Sequence, residues 1–193
     1  MSVIRIKTRN LRHRENSGKI IFTVDDLEEF PEWPDSDLIE LLHGELFMVP
    51  SPSTLHQRIS KEIEFQIQLF LKENKIGELF HAPIDVELGE EDLVVPDIVV
   101  VLDKEKEIIK ERRIKGTPSL IVEIASTNKK IDLVDKKDIY EKYKVKEYVI
   151  IEPEENFILI YRLNKKLQFE EPIKKEIPGK FKLKTLNNLE ISI

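Results

Sequence analysis

Three short runs of apolar, largely β-branched residues constrain this chain more than any other feature: residues 98–102 (Ile-Val-Val-Val-Leu), 120–124 (Leu-Ile-Val-Glu-Ile) and 148–151 (Tyr-Val-Ile-Ile). None alternates with polar residues, and each is too short for a helix. A strand of this kind is apolar on both faces and must be covered on both. The covering layers have candidates. Over residues 55–74, Ile59, Ile63 and Ile67 recur at spacing four, with Phe70 and Leu71 continuing one helical stripe. Residues 131–143 form a second helical pattern through Leu133, Val134, Ile139, Tyr140 and Tyr143. Strands alternating with helical patterns predict an α/β (α+β) chain with a mixed central sheet flanked by helices.

The remaining segments fit around that core. Thr23 and Asp26 make a capping-box-like start for a short helix over 24–30, stopped by Pro31 and Pro34. Residues 38–42 and 45–49 flank His43-Gly44 and predict an N-terminal β-hairpin. Ser53 or Thr54, after the Pro50-Ser51-Pro52 loop, can cap the long helix. Strands are expected at Leu79-Phe80, 84–88 and 94–102, with a turn at 89–92. A charged connection, helical in part, follows over 104–115. Runs at 156–163, near 167–169 and at 191–193 predict a β-rich C-terminal tail that packs on this chain or on a partner. The division expected is a basic arm over 1–20 and a single domain over 21–193.

Composition excludes several chemistries. The 193 residues contain no cysteine, which removes disulfide frameworks, zinc–cysteine sites, iron–sulfur clusters and thiol nucleophiles. No apolar run approaches the ~18 residues of a spanning helix, and the N-terminus has no apolar signal core, so a cytoplasmic protein is expected. The formal net charge of −6 argues at first against a nucleic-acid partner. Its distribution is uneven, however. Residues 1–20 carry six basic residues and one acid, 104–115 six and three, and 165–193 seven and four, whereas 20–57 carry nine acids and no Lys or Arg.

Two acids fall where a buried strand should have none. Asp97 opens the first apolar run and Glu123 lies inside the second. A carboxylate in such a place is costly to desolvate unless it is paired. Either both meet water or lysine at strand ends, or they stand together and require a cation between them. Asp132, Lys136 and Tyr140 share one face of the following helix. Lys136 therefore either pairs with Asp132 on a solvated face or looks back at the acids. Two carboxylates and a lysine can bind Mg²⁺ or Mn²⁺ through hard oxygen donors and hydrolyse a phosphodiester. Glu45 and His56 are further candidates to complete a metal shell or touch phosphate. His56 has the alternative role of a helix-cap or hydrogen-bonding residue, and Asp85 ranks below both.

The ordered set resembles the Uma-type family within the PD-(D/E)XK nuclease superfamily. It comprises 38–46 (Leu-Ile-Glu-Leu-Leu-His-Gly-Glu-Leu), Pro50-Ser51-Pro52 with His56, Val95-Pro96-Asp97-Ile98, residues 122–126 around Glu123, Asp132 with Lys136 and Tyr140, and Val145-Lys146-Glu147-Tyr148. The resemblance implies a restriction-endonuclease-like fold, Asp97 and Glu123 as metal ligands, and Lys136, not Lys137, as the catalytic lysine. The superfamily usually places its lysine two residues after the glutamate, where this chain has Ala125. The implied activity is Mg²⁺- or Mn²⁺-dependent endonucleolytic cleavage of DNA, with a homodimer suited to cutting both strands of a palindrome. The alternatives are a non-catalytic nucleic-acid-binding or accessory protein on the same fold, and a structural protein whose acids are paired with lysines.

Overall fold

The computed structural model describes residues 14–16, 19–28, 38–125 and 131–193, with the side chains of 14–19, 131 and 132 not described. Trp33, Pro31, Pro34 and most of the basic arm lie outside these residues, as does any Asp132–Lys136 pairing. The chain runs through β1 (Arg14–Asn16), β2 (Lys19–Ile21), α1 (Val24–Glu28), β3 (Leu38–Leu42), β4 (Glu45–Val49) and α2 (Thr54–Asn74). It continues through β5 (Gly77–His81), β6 (Val86–Gly89), β7 (Asp92–Val94), β8 (Ile98–Leu102), β9 (Ile114–Lys115) and β10 (Leu120–Ile124). After a π-helical turn at Ile131–Lys136 come α3 (Lys137–Lys142), β11 (Glu147–Glu152), β12 (Phe157–Arg162), β13 (Ile173–Glu176), β14 (Lys180–Leu183) and β15 (Leu189–Ser192).

The three apolar runs become β8, β10 and β11 at the middle of a six-stranded sheet, ordered β13-β12-β11-β10-β8-β5. Only β10 and β11 are parallel, and the crossover between them carries the π-helical turn and α3. All other pairs in this sheet are antiparallel. One face buries Ile98, Val100, Leu120, Val122 and Val149 against Ile63, Ile67 and Leu71 of α2 and against the C-terminal β14–β15 hairpin. The other buries Val99, Val101, Ile121, Tyr148 and Ile150 against α3 and a second sheet, ordered β4-β3-β7-β6-β9. Both faces of the central strands are therefore covered, as their composition requires.

Local signals explain most of the boundaries. Thr23 and Asp26 exchange the capping-box bonds, with Thr23 N donating to Asp26 Oδ2 at 2.7 Å and Asp26 N to Thr23 Oγ1 at 3.3 Å. The β3–β4 hairpin turns on His43 and Gly44, both at positive φ (52° and 75°). A Cβ on Gly44 would stand 2.3 Å from Ile21 Cγ2, so the glycine is required for space as well as for its backbone angle. Ser53 caps α2 by accepting from His56 N at 3.1 Å.

The structure corrects the expected single strand over 94–102. β7 ends at Val94 in the second sheet and β8 begins at Ile98 in the first. Pro96 cannot donate to a ladder, so the chain steps between sheets at Val95-Pro96-Asp97. The run near 167–169 contributes one isolated bridge, Leu163 to Phe169, rather than a strand. The charged edge strand β13 (Ile-Lys-Lys-Glu, exposed throughout) had no apolar alternation to reveal it. The C-terminal tail packs on its own chain: Phe181, Leu183, Leu186 and Ile191 are 0–2 % exposed. Among the described residues no helix is long and apolar enough to cross a membrane.

Candidate active site

Asp97 stands on the step between the two sheets, and Glu123 points from β10 beside it. Ile124 N donates to Asp97 Oδ2 at 2.8 Å, and Asp97 N lies 3.4 Å from Glu123 Oε2. Each acid is thus held partly by the other's strand. His56, in the first turn of α2, places Nε2 3.0 Å from Asp97 Oδ2. From the opposite side, Lys136 at the end of the π-helical turn donates to Glu123 Oε1 at 2.9 Å. One α-helical turn later, Tyr140 Oη donates to the same oxygen at 2.8 Å. Burial and the adjacent Glu123 charge push the Tyr140 phenol well above its usual pKa, which keeps it a hydrogen-bond donor.

A third acid completes the group. Glu40 of β3 is 3 % exposed; its Oε1 lies 2.9 Å from Lys136 Nζ and accepts from Val95 N at 2.8 Å. Lys136 is therefore clamped between Glu40 and Glu123. Glu40 escaped the sequence reading although the same criterion would have found it: a carboxylate inside the apolar run Leu38-Ile39-Glu40-Leu41-Leu42. It shares the inward face of β3 with buried Leu42, two residues on. Its membership in an acidic block made a solvated position the natural expectation.

The structure brings Asp97, Glu123, Lys136 and His56 together and leaves the other candidates apart. Glu45 is exposed at the turn end of the hairpin, opposite Leu42, and does not line the cleft that contains the acids. Asp85 faces a different cavity beside Arg113; burial raises its carboxyl above the ordinary value, and the guanidinium partly offsets this. Lys137 turns away from the acids, to Asp138 and Glu141.

The acids open into a cleft of about 400 Å³ at the end of the central sheet. Its floor is Asp97, Glu123, Lys136 and His56, and Ala125 lies on its wall. Among the described residues Lys136 pairs with Glu40 and Glu123, and His56 stands against Asp97. Among the described residues no three His, Asp or Glu side chains converge as a closed metal cage. Two hard carboxylates lining one cleft nevertheless fit Mg²⁺ or Mn²⁺, which is commonly held by one or two carboxylates and completed by water. Asp97 and Glu123 are the residues that would hold it.

The basic connection over 104–115 does not line this cleft. The 104–115 connection follows Leu102, at the opposite end of β8 from Asp97, about 17 Å away by strand rise. Arg113 and Lys115 lie further along, at β9 beside β6 of the second sheet, and are paired with Glu28 and Glu87. The acidic block contributes Glu40 to the site.

A mixed, helix-covered sheet with paired acids at the junction of its central strands defines a restriction-endonuclease-like α+β protein. The family profile described as "Putative restriction endonuclease" (Uma2) matches residues 27–190, and the chain belongs to that family. A crystal structure of a putative nuclease from Anabaena variabilis superposes with a TM-score of 0.73 at 20% identity, covering 89% of this chain and 94% of that one. No curated protein matches the chain.

Proposed function

We propose that the protein is a divalent-metal-dependent nuclease that hydrolyses phosphodiester bonds in DNA. The observation that carries this reading is the pair Asp97 and Glu123 lining an accessible cleft, with Lys136 held between Glu123 and buried Glu40. Family membership supports the same chemistry.

A cation held by Asp97 and Glu123 would acidify a water molecule and offset charge on the phosphorane. The chain's own groups have separate tasks. Lys136, fixed by Glu40 and Glu123, presents an ammonium that orients the attacking water and balances developing charge. Its approach from the crossover helix replaces the lysine that the superfamily carries two residues after the glutamate. Tyr140 fixes the Glu123 carboxylate from behind, and His56 fixes Asp97. These contacts leave the carboxylates little rotational freedom, as positioning for an in-line displacement requires.

The test is cleavage of labelled DNA by purified protein with Mg²⁺ or Mn²⁺. Cleavage should require the metal and fall at least ~100-fold in Asp97→Asn and in Glu123→Gln, the scale of losing a metal-centred contribution. Undiminished cleavage by either variant contradicts the site. A folded wild type that cleaves nothing, yet binds DNA, would instead establish the non-catalytic accessory reading.

A further inference from the structure

We propose that the cleft takes an unpaired nucleotide, so that the substrate class is single-stranded or locally unpaired nucleic acid and not continuous duplex. This deepens, and for cleavage rests on, the nuclease reading of the same site. Three observations carry it.

The first is depth. Glu123 and Lys136 are 3 % and 5 % exposed, and the Asp97 and His56 side chains 15 % and 14 %. A phosphodiester must therefore descend into the cleft to meet them. A duplex presents its phosphates on a broad convex surface, whereas a single strand can bend one phosphate inward. At about 400 Å³ the cleft has small-molecule dimensions.

The second is the wall chemistry. Leu38, Val49, Pro52, Leu55, Pro83 and Pro153 line the space above the acids. Leu38 and Leu55 are 39 % and 49 % exposed, large apolar side chains left at the rim. These side chains offer apolar contact to the faces of an unstacked base, beside the polar Ser51, Ser53 and Gln57 of the same lining. The third is the scarcity of positive charge on the described lining. Among the described residues Lys136 is the sole Lys or Arg lining the cleft, and it is already committed to two carboxylates. Duplex binders hold DNA largely through several Lys or Arg contacts to phosphate.

The occupant is thus one nucleotide, its base against the apolar wall and its phosphodiester on the acidic floor. The experiment measures fluorescence-anisotropy binding, in Ca²⁺, of one labelled DNA sequence as a single strand, as a blunt duplex and as a duplex with a single-stranded overhang. Cleavage of the same three is then followed in Mn²⁺. The single strand and the overhang should bind at least tenfold more tightly than the blunt duplex. Leu38→Ser/Leu55→Ser, at two partly exposed positions, should weaken single-strand binding at least fivefold. Cleavage should be confined to unpaired nucleotides. Blunt duplex bound or cut as well as the single strand overturns the inference, as does absence of binding to all three. Preferential single-strand binding without cleavage leaves the inference standing and defeats the nuclease reading alone.

Discussion

At the scale of single residues, the site is a set of buried charges that hold one another. Lys136→Met leaves Glu40 and Glu123 without their cation and should destabilise the fold by roughly 3–5 kcal/mol, the usual cost of breaking a buried ion pair from one side. Tyr140→Phe removes one hydrogen bond to a carboxylate and should cost about 1.5–3 kcal/mol. Urea denaturation measures both, and a change within error of zero in either variant would contradict the geometry described. Asp97, Glu123 and Lys136 were legible because a charge in an apolar strand or on an inward helical face demands a partner. Glu40 obeys the same rule but was hidden by the nine-acid segment around it. His56 satisfies two readings at once: its backbone N–H completes the Ser53 cap while its ring meets Asp97. Glu45, five residues beyond Glu40, shows how a hairpin can carry one acid into the core and another into solvent.

Elements set these residues in place, and their ends are where sequence was least informative. The break at Pro96 divides one apolar run between two sheets and so creates the shelf for Asp97. No periodicity reports that event, because residues on both sides of it are buried. Ser53→Ala should cost about 1 kcal/mol through loss of the α2 cap. Amide hydrogen exchange should then show fraying confined to the first turn, which carries His56. A second latch lies at Asp92, which is fully buried and accepts from His43 N, Lys142 Nζ and Tyr143 Oη at 2.7–2.8 Å. Burial alone would raise its carboxyl, but these three donors together hold it below the ordinary value. The folded state therefore binds this proton less readily than the unfolded state. The stabilisation is complete above about pH 4 and is lost as pH falls through the lower folded value. Glu105, held low by Lys146 and Ser119 against its own burial, adds in the same direction. Asp92→Asn should lower stability at neutral pH and flatten the acid decline seen in urea midpoints. An unchanged slope would remove Asp92 from the account.

For the molecule as a whole, the C-terminal hairpin and the charge balance were the open questions. Truncation before Gly179 would remove Phe181, Leu183, Leu186 and Ile191 from the core. At ~1.5–3 kcal/mol for each buried apolar side chain, the loss of roughly 6–12 kcal/mol rivals the whole stability of a typical domain. The truncated chain should show no cooperative thermal transition; a cooperative one would mean the hairpin is an appendage. The sheet order could not be read from sequence, because strand pairing depends on which apolar faces meet and not on the strands themselves. The net charge of −6 proved informative in an unexpected way: Asp97 and Glu123 line one cleft, buried Glu40 joins Glu123 on Lys136, and the basic 104–115 connection does not line that cleft. The central claim is that Asp97 and Glu123 hold a divalent cation, and titration of Mn²⁺ followed by electron paramagnetic resonance tests it most directly. Wild-type protein should deplete free Mn²⁺ at a saturable site that Mg²⁺ competes for, and folded Asp97→Asn and Glu123→Gln should lose it. Equal Mn²⁺ uptake by the variants, or none by the wild type, would contradict the account.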